Sequence, residues 1–158
     1  MRQIFILVLC TLLIVTSGLL LTRAQESAVI TPLGPQQTVK AVTADQVNGV
    51  YRDRGSEIRI LALGHHQLKV QFNLEWMTRG GYPNLGEAMG EAIIEGNVAT
   101  FIPGDTTKCK ITLTFLTNRM EVNQEGTDAD CGFGHNVMAR GTYRRIKGGR
   151  PRFIPVQK

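Results

Sequence analysis

Residues 67–77 read QLKVQFNLEWM. Leu68, Val70, Phe72, Leu74 and Trp76 fall on one side of an extended chain, and Lys69, Gln71, Asn73 and Glu75 on the other. Successive side chains of a strand point to opposite faces, so this alternation spells a half-buried β-strand. A helix, with its period of about 3.6 residues, would scatter the same apolar groups around its circumference. The phase therefore predicts a strand whose five apolar side chains line a core.

The same period extends in both directions. Ile58 and Ile60 share a face within 56–63, and Gly64-His65-His66 joins that segment to the decisive strand as a hairpin loop. Farther on, Cys109, Ile111, Leu113 and Phe115 alternate with Lys110, Thr112 and Thr114. Thr117-Asn118-Arg119 then turns the chain into another short strand, 120–124. The stretch VATFI (98–102) follows the turn signal Glu95-Gly96-Asn97 and ends at Pro103. Only 85–95, LGEAMGEAIIE, resists the pattern. It contains helix formers, yet Gly86 and Gly90 each weaken a helix by about 1 kcal/mol relative to alanine, so it is read as a strand over Glu87–Glu95.

Two further strands bracket the unit and echo one another: Gly49-Val50-Tyr51-Arg52 and Gly141-Thr142-Tyr143-Arg144. Short strands at regular spacing form an antiparallel meander, and closing it removes the exposed edges. The expected fold is all-β, a lipocalin-like barrel of about eight strands, with the echoing pair as neighbours at the seam.

The flanking segments speak to compartment. Met1-Arg2 precedes an uncharged run, Ile4–Leu21, and Thr22-Arg23-Ala24 offers small residues for cleavage before Gln25. This predicts a signal peptide over 1–24 and a periplasmic or secreted protein. The alternative is an N-terminal membrane anchor, since about 18 apolar residues suffice to span a bilayer. Of three cysteines, Cys10 leaves with the signal, and the remaining pair, Cys109 and Cys131, reads as one disulfide in an oxidising compartment. Residues 25–46 are read as a disordered linker, 47–146 as the barrel and 147–158 as a flexible basic tail.

Charge is unevenly placed. The chain has 18 basic and 13 acidic residues, and removing Arg2 and Arg23 leaves 16 against 13, or +3. Seven basic residues and no acidic one lie in 140–158, so 25–139 carries 9 against 13, or −4. Arg140, Arg144, Arg145, Lys147, Arg150 and Arg152 thus form a candidate patch for an anionic lipid or wall polymer. Phosphate neutralisation needs little more than such cations, but an exported chain rarely meets nucleic acid, and none is expected as a partner.

Cys109-Lys-Ile-Thr-Leu-Thr-Phe115, Met120-Glu-Val122, Asp130-Cys-Gly-Phe-Gly134 and Ala139-Arg-Gly-Thr-Tyr143 resemble the closing half of small bacterial envelope β-barrel domains. In some such chains the domain accompanies a lysozyme-inhibitor-like module. The resemblance implies a periplasmic barrel and points toward inhibition of a hydrolase. It covers structural motifs, namely a cysteine pair, a glycine turn and a closing strand. No segment matches an inhibitory loop of the known lysozyme inhibitors.

Residues suited to chemistry are few. His65 and His66 sit on a hairpin tip where adjacent side chains diverge, and nothing places His135 beside them, so no metal site is expected. A nucleophile needs a base and a donor for the developing charge within reach. Both mature cysteines are committed, Ser27 lies in the linker and Ser56 in a turn. Gly80-Gly81 and Gly132-Phe133-Gly134 precede no helix that could receive a phosphate. No enzyme activity and no cofactor are expected. The loop 77–86, MTRGGYPNLG, is the better candidate: Arg79, Tyr82, Pro83 and Asn84 would be held out to solvent by a rigid sheet, where binding residues concentrate. Two functions follow. One is a protein-interaction module of the cell envelope, with a lysozyme-type inhibitor as its sharpest form. The other is a carrier holding a small apolar ligand inside the barrel. Interior volume separates them, because Phe72, Trp76, Phe101, Phe115 and Tyr143 could fill a small barrel.

Overall fold

The computed structural model describes residues 42–104 and 107–155. The expected signal peptide and most of the expected linker lie outside them. A short helix, α1 (Ala44–Val47), precedes eight strands: β1 (Gly49–Asp53), β2 (Ser56–Gly64), β3 (Gln67–Met77), β4 (Pro83–Glu95), β5 (Val98–Phe101), β6 (Lys110–Leu116), β7 (Arg119–Glu125) and β8 (Gly141–Gly148). Each strand pairs antiparallel with the next, and β8 returns to β1, closing the barrel.

The seam joins the two strands that echo in sequence: Tyr51 lies opposite Arg145 and Arg52 opposite Arg144. Both echoing tyrosines are buried, and each phenol donates to a carbonyl four residues upstream, Tyr51 to Val47 (2.9 Å) and Tyr143 to Ala139 (3.0 Å). A buried hydroxyl without an acceptor is costly, so these bonds let large aromatics close the core. Burial pushes the Tyr51 phenol up to about 12, with the nearby Arg145 cation opposing, and raises that of Tyr143 further.

One continuous core fills the barrel. Ile58, Ile60, Val70, Phe72, Ala99, Ile111, Leu113 and Met120 are 0 % exposed, so a water molecule reaches them neither from outside nor from within. Phe72 and Phe101 stack at 5.0 Å between ring centres, and Tyr51 meets Phe115 edge-on at 6.1 Å. Four of the five expected core aromatics are inside. Trp76 is the exception, for a reason that belongs to the site below.

β4 explains its own ambiguity. Its inward positions are Gly86, Ala88, Gly90, Ala92 and Ile94, and its outward ones Leu85, Glu87, Met89, Glu91, Ile93 and Glu95. A Cβ on Gly90 would sit 3.2 Å from the Phe101 ring, and one on Gly86 2.8 Å from Val137. Small residues face in because the aromatic core and the β7–β8 connection press against them. The strand begins at Pro83, four residues before the expected start, so the connecting loop is only 78–82.

Both barrel ends are closed. At one end α1 packs on β2, and the Arg145 guanidinium donates to the carbonyls of Asp45 (2.6 Å) and Asn48 (2.5 Å). At the other end residues 126–140 fold over the opening as a cap, burying Phe133, Val137 and Ala139. The Cys109–Cys131 disulfide ties the cap to the start of β6, with Cα atoms 5.1 Å apart. Thr127 donates its backbone N–H and its hydroxyl to Asp130, and Asn136 and Ala129 donate N–H groups to Asp128. These bonds hold both carboxyls below the ordinary carboxylate range.

Two domain limits differ from expectation. The linker was expected to run through Gln46, but Val42 packs on the core and bonds the Gly96 carbonyl at 3.2 Å, and Thr43 opens α1. The tail was expected to start at Lys147, but β8 continues to Gly148 and residues 151–155 lie back across β3. There Lys69 stands 4.7 Å over the Phe153 ring, and Gln71 exchanges two hydrogen bonds with the main chain of Ile154.

Candidate functional site

The most distinctive surface is built by a length mismatch. By register Glu57 of β2 faces Asn73 of β3, so β2 ends opposite Leu74 while β3 runs on to Met77. The Ser56 hydroxyl accepts the Glu75 N–H at 3.0 Å and marks the last contact with β2. Trp76 keeps the inward phase of Leu74 but has passed the rim of the barrel. It is 47 % exposed, and Met77, Tyr82 and Leu85 are 57, 80 and 58 % exposed. The hairpin tip thus exposes a tryptophan on its inner face, a methionine and a leucine on its outer face, and a tyrosine in the loop between them.

The tip is stiff. Trp76 pairs with Asn84 and Met77 with Pro83, which carries the β3–β4 ladder up to the loop. Within the loop Thr78 donates its hydroxyl (2.7 Å) and N–H (3.2 Å) to the Tyr82 carbonyl, and Gly81 donates to Thr78 (3.1 Å). Gly81 takes a left-handed φ of 80°, which a glycine adopts without strain. From behind, Asn84 donates to the His135 carbonyl (2.7 Å) and Gly134 to the Leu85 carbonyl (3.0 Å). The disulfide-held cap therefore braces the tip.

Of the four loop residues singled out in sequence, Tyr82 and Arg79 are free at the surface, and Pro83 is exposed but already part of β4. Asn84 is a brace, its amide spent on the cap. Trp76 is the residue the sequence reading placed in the core, and Met77 lies at the edge of the loop it singled out. From Leu85 the apolar surface continues along the outer face of β4 through Met89 to Ile93, interleaved with Glu87 and Glu91.

The basic residues divide. Arg140, Arg144, Lys147, Arg150 and Arg152 are exposed, whereas Arg145 points back to the α1 end and serves the structure. Arg144 lies between Arg52 of β1 and Arg119 of β7, three arginines abreast on the outer wall. Like charges directly opposite one another are destabilising in a sheet. Arg52 is relieved by Glu57 at 2.7 Å and Arg119 by Glu121 at 3.7 Å. His65 and His66 occupy the β2–β3 turn, and His135 lies on the cap at 3.8 Å from Asp128. Among the described residues no group of three or more His, Cys, Asp or Glu side chains is placed to hold a metal.

No protein family, curated protein or solved structure matches the chain.

Proposed function

We propose that this chain is an exported protein-interaction module of the cell envelope, and that the β3–β4 hairpin tip is its recognition surface. The observation that carries the reading is the joint exposure of Trp76, Met77, Tyr82 and Leu85 on a braced hairpin, with Arg79 beside them. Tryptophan, tyrosine, methionine and arginine are the residue types enriched where proteins meet, and a few of them carry most of the binding energy. The internal bonds of the tip reduce the ordering cost of association. A narrow, rigid projection also suits insertion into a cleft, and together with the resemblance of the closing half this favours a hydrolase, lysozyme-type, as the partner. The disulfide suits an oxidising compartment. The carrier alternative lacks support, because side chains that expose no surface leave no ligand-sized void between them. The row Arg52–Arg144–Arg119 supports a secondary attraction to anionic lipid or wall polymer.

The chain has a single tryptophan, so its fluorescence reports the tip directly. The experiment is capture from periplasmic extract by the mature protein, followed by titration with each purified partner and with lysozyme and other wall hydrolases. Binding should shift Trp76 emission to the blue and inhibit a bound hydrolase. Trp76→Ala should weaken binding by at least 2 kcal/mol, about thirtyfold, as central aromatic anchors do. Equal affinity for the Trp76→Ala/Tyr82→Ala protein, with unchanged melting, would remove the tip from the function.

A further inference from the structure

Gln71 is a polar residue in an outward position of β3, yet it is only 1 % exposed. Residues 151–155 cover it. Its amide nitrogen donates to the Ile154 carbonyl at 2.5 Å, and its amide oxygen accepts the Ile154 N–H at 2.9 Å. One side chain thus satisfies both main-chain groups of one residue, the way an amide reads an extended peptide without reference to its sequence. Lys69, two positions back along β3, rests on Phe153 and supplies preference for an aromatic.

The wall holds more recognition capacity than residues 151–155 use. Arg59 lies directly across from Gln71, and Asn73 is the next outward residue of β3. Arg59 Nη1 and Asn73 Nδ2 are both buried and, among the described residues, lack an acceptor. Arg59 is held in place by its ion pair with Glu57, which also binds Arg52. Buried donors ordinarily find partners, and an empty one is costly. Phe153 sits at Lys69 and Ile154 at Gln71, so the strap advances along β3 toward Asn73. Asn73 lies in the direction it travels, and Arg59 stands beside Gln71 on the neighbouring strand.

We propose that the outer face of β2 and β3 is a peptide-binding groove occupied in cis by the strap, and that its ligand in trans is an extended partner segment of the same chemistry. That segment carries an aromatic for Lys69, an aliphatic residue whose main chain pairs with Gln71, and following carbonyls for Asn73 and Arg59. The strap is suited to give way. It belongs to no strand, Ile154 remains half exposed, and Gly148 and Gly149 connect it to the barrel. Gly149 has a φ of 76° and no atom within 4 Å of where a Cβ would be. This groove is separate from the hairpin tip and stands or falls independently of it.

The test uses full-length mature protein and a fluorescent peptide of sequence RPRFIP followed by two alanines. A Phe153→Ala/Ile154→Ala chain, its strap loosened, should bind the peptide at least tenfold more tightly than wild type, because the tethered competitor is weakened. Adding Gln71→Ala should abolish the gain, and Asn73→Ala should reduce binding severalfold. Gln71→Asn, whose shorter amide falls short of the peptide, serves if Gln71→Ala melts early. A peptide that binds neither chain, or binds as well without the Gln71 amide, overturns the proposal. Dimers that form through the strap of a second copy, with no binding of free peptide, overturn it as well.

Discussion

Replacing both Cys109 and Cys131 by alanine should destabilise the barrel by about 3 kcal/mol. The bond joins residues 22 apart. With a loop of about that length the chain-entropy estimate gives about 3 kcal/mol at 25 °C, all of it acting on the unfolded chain. Removing two buried sulfur atoms adds up to about 1 kcal/mol of lost packing. For a domain of this size the sum lowers the melting temperature by roughly 10–20 °C. Urea denaturation of the oxidised wild type and the double variant measures it, and the slope distinguishes the mechanism. An uncrosslinked unfolded chain is more expanded, so the dependence on urea should steepen in the variant. Hydrogen exchange provides a second readout. The cap keeps its own anchors, Gly134 to the Leu85 carbonyl (3.0 Å) and Ala139 to the buried Gln124 amide (2.7 Å). Both amides should stay protected under native conditions. A loss below about 1 kcal/mol with an unchanged slope would refute the entropic account. Loss of protection at Gly134 alone would show that the bond holds the native cap in place instead.

Gly134→Ala should cost about 1–3 kcal/mol, as overpacking does, because the new Cβ would fall 2.5 Å from the Leu85 carbonyl oxygen, a backbone atom that cannot swing aside. Gly80→Ala, with no other atom nearer than 3.9 Å, should stay within about 0.5 kcal/mol, and thermal melts of the two compare them. Stability should decline as pH rises above the ordinary phenol range toward about 12, since burial raises Tyr51 to about 12 and the unfolded chain sheds the proton first. Tyr51→Phe should flatten that alkaline slope in urea titrations, and an unaltered slope would show that another group controls it. At the acid end the sign reverses: Asp128 and Asp130 are held low, so their contribution is present above the ordinary carboxylate range and is lost as pH falls through the lowered values.

What the sequence could disclose depended on how far each strand's neighbours extend. Alternation in 67–77 correctly separates Leu68, Val70, Phe72 and Leu74 from their polar partners, because β2 and β4 flank that stretch on both sides. The closing pair of Gly-x-Tyr strands was legible for a related reason, since both tyrosines solve the same problem of filling the core at the seam. Two further local signals lie in the sequence. Thr43-Ala44-Asp45-Gln46 has the spacing of a capping box, and Gln46 does accept the Thr43 N–H at 2.8 Å. Arg145 shares the phase of Tyr143 rather than that of Arg144, which alone removes it from an outward patch. In β4 the alternation is one of size, glycine and alanine inward against leucine, methionine and isoleucine outward, so a polarity test misreads it.

The rest was hidden because it arises where pairing stops. Trp76 has the right phase for the core and emerges into solvent only because β2 begins at Ser56, opposite Leu74, and offers no neighbour beyond it. β4 pairs with β5 only from Ala92 to Glu95, which leaves its earlier outward residues, Leu85 and Met89 among them, beside a neighbour made of cap rather than strand. Gln71 looks like a surface residue in every local window and is buried by a segment 83 positions away. Alternation assigns a side chain to a face, but the length of the neighbouring strand and the path of the tail decide whether that face is covered. Both surfaces proposed for binding, the tip and the groove, lie at places where those two answers differ.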